Sequence, residues 1–491
     1  MNSAVPQSFR PGGALSAYPL SPYTGPWNAR LAAHLLRRAG FGGSPGDVAR
    51  LGRASMQGAV ASLLDFPATS SLPDAPNLPD ESAVDAQLLD RVRMRGVKDP
   101  ELVELRKSRR KLEAAGILAT QLWWLDRMIA TPAPLQEKMT LFWHGHFTTA
   151  ALQKGVTPAE IVAQNALFRQ YALGNVRELT QQVSVDPAML KYLDNRYNAK
   201  AHPNENYARE LMELFTLGIG NYTEADVREG ARAWTGLRIR PATDDVVLNA
   251  KLHDDGTKTF LGKTGNFSGR DVVDIIFTQP AASKYFAAKL LEAFVYDDPE
   301  PQLIDEVAAL LRKNDFNMRP VMSTLLVSNV FYSPRAYRAL VKSPVEFVVG
   351  SYQLFGVPAA DPKVLAALRR MNQVLFYPPN VKGWPGGSAW INSTTILARA
   401  NFANALMTSG AVMSAADWLL SSGPGNPNLA ARTLVDAIVQ GDVSPGAFGK
   451  LEGYLRGDGT AALAALSGEN YEQRMRGGAY LAMAMPPYQL A

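Results

Sequence analysis

The chain contains no cysteine. That single absence removes disulfides, thiolate metal sites and a cysteine nucleophile, and it leaves the redox compartment open. Apolar runs of membrane-spanning length are also missing. Stretches such as GILATQLWWL at 116–125 are interrupted too early, so no membrane span is expected. The first twenty residues, MNSAVPQSFRPGGALSAYPL, hold neither a secretory apolar core nor paired arginines. No export signal is read there, and the chain as given is expected to be cytoplasmic. Charge of one sign is scarce as well: 50 basic residues face 45 acidic ones, for a net charge of +5. The basic residues are mostly interleaved with acids rather than gathered on one stripe, so no nucleic-acid partner is expected. H-E-x-x-H is absent, Gly42-Gly43-Ser44-Pro45-Gly46 has the G-x-S-x-G letters but reads as a helix cap rather than a nucleophile elbow, and the Gly-rich KTFLGKTGN at 258–266 lacks the P-loop order and reads as a turn.

What remains is an ordinary globular composition, with 47% hydrophobic and 19% charged residues over 491 positions. That length favours one very large domain or two packed lobes. Helical spacing dominates, so the fold class is mainly α, a large multi-helix globular domain with a small β excursion near 237–262. Residues 1–26 read as an irregular Pro/Gly/Ser-rich arm. Residues 27–491 read as a single large helical domain, or as lobes 27–236 and 263–491 joined by the β segment. Ser44 is a predicted cap ahead of Pro45 and Asp47. Residues 83–130 form one or two long helices broken near Gly96 to Pro100. They carry Arg91, Arg93, Arg95, Arg106, Lys107, Arg109, Arg110 and Lys111 on what should be a solvated face.

Chemistry is sought first at histidine, because only five are present and imidazole is both the commonest metal ligand and a proton carrier near neutrality. His144 and His146 lie in FWHGHF, His253 in LHDDGTKTFLG, His34 in HLLRRAGFG and His202 in HPNENYARE. On one helix, His144 and His146 diverge by about 200°. If Gly145 and Phe147 end the helix, an extended H-x-H puts both rings on one side. His144, His146 and His253 are the candidate metal ligands, for zinc, iron or manganese.

The strongest local signal is PNENYARELMELFTLG at 203–218, where Pro203 and Asn204 should open a helix that Gly218 closes. Asn206, Glu210 and Glu213 share one face, and Glu205, Arg209 and Glu213 form a neighbouring ladder. Carboxylates packed beside Tyr207, Leu211, Leu214 and Phe215 must find partners or shift their pKa. Glu205, Glu210, Glu213 and Arg209 are therefore the catalytic candidates; Asp186 and Asp194 are further carboxyls that could join an acid–base pair. Asn204, Asn206, Asp194, Trp384, Trp390 and Asn392 are the substrate-binding candidates. The last three belong to an aromatic loop with Tyr377, and flat aromatics beside amides suit a saccharide or peptide.

The order of HLLRRAGFG, FWHGHF, DPAMLKYLDN, PNENYARELMELFTLGIGNYTEADV, HDDGTKTFLG, KSPVEF and YPPNVKGWPGG followed by WINS resembles the bacterial family known as domain of unknown function 1800. The resemblance runs from about residue 30 to about residue 485 and implies an uncharacterised protein. Relatives are often exported and often encoded beside a second uncharacterised family, which implies a protein partner from a neighbouring gene. It carries over no catalytic residue. The residues leave two readings open. One is a hydrolase using the His/Glu cluster as a metal site or an acid–base pair. The other is a non-catalytic binding or assembly protein whose buried polar cluster is a structural hub.

Overall fold

The computed structural model describes residues 19–66, 75–95, 101–240, 243–409, 412, 426–457 and 468–491. Most of the predicted irregular arm, and the break between Gly96 and Pro100, lie outside these residues. Among the described residues the chain is mainly α-helical. In chain order the helices are α1 (Ala29–Arg38), α2 (Pro45–Arg53), α3 (Met56–Leu64), α4 (Ser82–Arg95), α5 (Glu101–Ala130), α6 (Pro134–His146), α7 (Pro158–Gln170), α8 (Val176–Ser184), α9 (Pro187–Tyr192), α10 (Asn206–Glu210) and α11 (Glu224–Ala233). After the β excursion come α12 (Gly269–Phe277), α13 (Pro280–Phe294), α14 (Pro301–Lys313), α15 (Met318–Leu326), α16 (Pro344–Leu354), α17 (Val364–Arg370), α18 (Ser393–Met407), α19 (Pro427–Val439), α20 (Pro445–Arg456), α21 (Gly468–Ala484) and α22 (Pro486–Gln489).

Local chemistry sets these boundaries. Ser44 and Asp47 form a reciprocal capping box at α2, and Thr157 with Glu160 and Ser343 with Glu346 do the same at α7 and α16. In each case proline opens the first turn, where its missing N–H costs nothing. The β excursion is two antiparallel ribbons. Leu237–Ile239 (β1) pairs with Val246–Leu248 (β2), and Lys258–Phe260 (β3) pairs with Lys263–Gly265 (β4). It therefore runs three residues past the expected limit at 262. Arg106, Lys107, Arg110 and Lys111 are exposed on α5, and Lys107 pairs with Glu104 while Arg109 reaches Asp85 across to α4. A solvated face accounts for them. No helix among the described residues is long and apolar enough to cross a membrane.

One cluster of buried apolar side chains extends from Ala32 to Tyr488, and α6 threads through it. Six of this helix's polar side chains, Gln136, Glu137, Lys138, Thr140, His144 and His146, are buried with Trp143 and Met139. A polar group taken out of water needs a partner, or it costs several kcal/mol. Glu137 is 0% exposed and accepts four hydrogen bonds from three side chains. Arg169 Nε lies at 2.6 Å and Arg127 Nε at 2.8 Å from one carboxylate oxygen. Arg169 Nη2 at 3.0 Å and Trp124 Nε1 at 2.9 Å take the other. Burial alone would raise the Glu137 pKa, but the two guanidiniums outweigh it and hold the carboxylate below its ordinary range. This clamp joins α5, α6 and α7.

Removing the carboxylate would strand two buried guanidiniums. Glu137→Ala is therefore expected to lower the unfolding free energy by about 3–5 kcal/mol, read from urea denaturation. A loss under about 1 kcal/mol would mean that solvent, rather than Glu137, satisfies both arginines.

Candidate functional site

The helix α6 continues through His146, and Phe147 N–H still bonds back to Trp143 O at 2.8 Å. The extended H-x-H arrangement is thus not formed, because the helical hydrogen bonds run through Gly145. The two rings serve opposite sides. His144 Nε2 accepts the backbone N–H of Phe376 at 3.2 Å, and its ring sits edge-on to Trp124. His146 Nε2 donates to Phe215 O at 2.8 Å. These bonds assign opposite tautomers: the Nδ1–H form for neutral His144 and the Nε2–H form for neutral His146. His253 lies elsewhere, with Nδ1 on Thr235 O at 2.8 Å. Among the described residues no group of three or more His, Asp or Glu side chains is gathered so as to hold a metal ion.

The PNENYARELMELF segment departs from the single α-helix read from its spacing. Only Asn206–Glu210 is α-helical, and Leu211–Thr216 widens into a π-helix. Leu217 N–H and Gly218 N–H both reach back to Met212 O, at 2.9 and 3.0 Å. The carbonyls of Leu214 and Phe215 are left at the segment's end, where side chains satisfy them. Tyr285 OH donates to Leu214 O, and His146 takes Phe215 O. A π-turn is a costly irregularity often found at functional sites; here it fixes α6 and α13 against one another.

Widening the helix also rearranges the predicted carboxylate ladder. Arg209 pairs with Glu205 at 3.1 Å and with Glu224 of α11 at 2.7 Å, rather than with Glu213. Glu213 accepts from Tyr222 OH at 2.8 Å. Glu210 is half-buried, and desolvation followed by the nearby Glu213 charge pushes its pKa up. Asn206 Nδ2 donates to Leu193 O at 3.1 Å, and Asn204 Oδ1 receives Asn206 N–H at 3.0 Å. Asp194 pairs with Lys154 at 2.5 Å, and Asn392 caps α18 through Thr394 and Thr395 N–H, both at 2.9 Å. None of these lines the cleft beside α6 and α13.

That cleft, of about 770 Å3, opens where α6, α13 and the loop 379–390 meet. His146, Trp384 and Trp390 are the sequence candidates that reach it. Loop and helix are held together at a point that demands glycine. Gly383 has φ +83°, and a Cβ there would stand 2.6 Å from Gly145 O. Thr148 Oγ1 donates to Val381 O alongside. The charged lining was not foreseen. Lys138 pairs with Glu346, and Lys289 pairs with Glu292 at 3.1 Å. Asp297, beyond the end of α13, also lines the cleft, and Gly387 approaches it so closely that a Cβ would lie 3.1 Å from Oδ2. Desolvation first and the Glu292 charge second push the Asp297 pKa up, while Arg38 pulls it down. In the sequence Lys289, Glu292 and Asp297 sit in KLLEAFVYDDPEP, where nothing in the spacing sets them apart from ordinary helix-surface charges.

Burial pushes both His144 and His146 down to about 3. In the unfolded chain each takes up a proton near pH 6.5. Between those values the unfolded state binds more protons, so stability falls as pH drops through the window, by roughly 1.4 kcal/mol per unit per histidine. His146→Gln should make the pH 6-to-4 loss of urea resistance shallower; an unchanged slope would contradict a neutral, buried ring. Asp186 acts in the reverse sense. It is buried against Gln164 and the first turn of α9, and desolvation raises it to about 7. The fold holds its proton between about pH 4 and 7, so the destabilisation grows as pH rises. Asp186→Asn is expected to raise the melting temperature at pH 8 and leave it nearly unchanged at pH 4.

No curated protein and no solved structure matches this chain. A family model described as "Protein of unknown function (DUF1800)" matches residues 34–490, nearly the whole of it, and the chain belongs to that family.

Proposed function

We propose that the protein is a hydrolase whose reaction takes place in the cleft between α6, α13 and the loop 379–390, on a saccharide or peptide substrate. The observation that carries this reading is the meeting of Asp297 and Glu292 in an open cleft faced by Trp384 and Trp390. Their environments differ: desolvation and a like charge favour the protonated form of Asp297, while Glu292 accepts an ion pair from Lys289. Two carboxyls in unlike surroundings are the usual basis of acid–base hydrolysis. In this scheme Asp297 gives its proton to the leaving oxygen or nitrogen. Glu292 takes a proton from the attacking water, whose oxygen forms the new bond as the substrate bond breaks. The half-buried Trp384 supplies a flat apolar face, and the polar lining fixes orientation.

Within the same proposal, a bound zinc, iron or manganese ion would make the reaction metal-assisted. The dispersed placement of His144, His146 and His253 favours the acid–base form. Turnover that survives exhaustive chelation is its expected result. Loss on chelation, restored by one of those metals, would move the reading to a metal-dependent hydrolase.

The second reading, a binding or assembly protein with a structural hub, is favoured by the fully engaged Glu137 clamp and by histidines bonded to backbone. The two readings differ in turnover. Screening of glycoside and peptide panels should reveal hydrolysis by the wild type, with kcat reduced about 100-fold or more by Asp297→Asn at an unchanged melting temperature. Tight binding without hydrolysis of any panel member would favour the second reading.

A further inference from the structure

Pairing the charges around the cleft leaves a remainder of two cations and one carboxyl, Asp297. Lys138 is matched by Glu346 and Lys289 by Glu292. Arg38 and Lys382 have no ion-pair partner among the described residues, and both line the same cleft. Lys382 is exposed at the lip. Arg38 is its opposite, only 1% exposed and in the last turn of α1. Its Nη2 donates to Ala336 O at 2.5 Å, while Nε and Nη1 have no hydrogen-bond partner.

A buried guanidinium with two unused donors is expensive, and folds seldom keep one without a use. Structural duty is visible for other arginines here. Arg127 and Arg169 are spent on Glu137, and Arg338 donates to Asp442 at 2.6 Å and to Val439 O at 2.7 Å. Arg38 has no such settlement. Its nearest compensating charges, Glu346 and Asp297, act at a distance, the first already engaged by Lys138 and the second pushed toward its neutral form by desolvation. Arg37, the neighbouring residue, is buried too and adds positive potential. In a low-dielectric wall such a charge is weakly screened and projects into the cleft.

We infer that the cleft takes an acidic saccharide, with a sugar carboxylate seated over Arg38, Lys382 steering it from the lip, and a ring face laid on Trp384. The inference rests on the proposed function, which names the same cleft. It adds the charge of the substrate and the choice of saccharide over peptide. A guanidinium suits a planar carboxylate, and the half-buried Trp384 indole offers a flat apolar surface against which a sugar ring can pack. No step of the hydrolysis is altered.

The test is isothermal titration of the full chain with an oligogalacturonate, a neutral galacto-oligosaccharide of equal length and an acidic peptide. The acidic saccharide is expected to bind about tenfold more tightly than the neutral one, with an affinity that falls as salt is added. Lys382→Ala, a change at an exposed residue, should weaken it a few-fold and reduce the salt dependence. Arg38→Gln should abolish the preference for charge, with circular dichroism confirming the fold. If Arg38→Gln does not fold, the comparison of ligands and the Lys382→Ala result still decide. Equal affinity for the acidic and neutral saccharides, or an unchanged salt dependence in Lys382→Ala, would overturn the charge assignment while leaving the cleft as a binding site. Preference for the acidic peptide would overturn the saccharide assignment. Binding of none of the three would overturn the inference, and the turnover screen with Asp297→Asn then judges the hydrolase reading separately.

Discussion

The requirement to satisfy the polar side chains of one buried helix organises much of this structure. The helix α6 carries Glu137, Lys138, His144 and His146 inside the protein, and each can be tolerated there only by reaching a different neighbour. Glu137 takes α5 and α7 through two arginines and an indole. Lys138 takes α16 through Glu346, His144 takes the backbone at Phe376, and His146 takes the end of the π-helix. The wall of the cleft is assembled by these obligations. Apolar burial supplies the stability, and the polar contacts determine which element lies beside which.

The cleft is built from the far ends of these connections. The loop 379–390 is held against α6 by the Gly383 approach to Gly145 O, and α13 is tied to the π-helix by Tyr285. Segments distant in sequence thereby bring Asp297, Glu292, Trp384 and Trp390 to one opening. The hydrolytic pair we propose would need such rigidity, because carboxyls displaced by an ångström lose most of their advantage. Arg38 sits behind them at the end of α1, and its uncommitted donors give the opening a preferred charge.

Much of the fold was legible in the sequence because local physics wrote it there. Ser44, Thr157 and Ser343 mark helix starts through capping chemistry that needs no tertiary context, and alternation near 237–248 marks the first ribbon. The special status of FWHGHF and PNENYARELMELF was also legible, since histidine and carboxylate in such apolar company must be bonded or perturbed. What those bonds reach was not. The π-helix arises because Leu214 and Phe215 carbonyls meet Tyr285 and His146, partners 71 and 69 residues away. Spacing read at 3.6 residues per turn therefore paired Arg209 with Glu213 when its tertiary partner is Glu224. Asp297, Glu292 and Arg38 were passed over for the same reason. Their meaning lies in what they face across the cleft, and charge alone on a helix end reads as ordinary solvation.

The central claim is that His144 and His146 are neutral connectors acting on opposite sides of one helix. Nitrogen NMR of the full chain labelled only at histidine, with five residues to assign, tests it directly across pH 7.5 to 4. The account predicts two rings that do not titrate in this range, His144 with an unprotonated Nε2 and His146 with a protonated one. Both rings titrating near 6.5, or both showing the same tautomer, would contradict it.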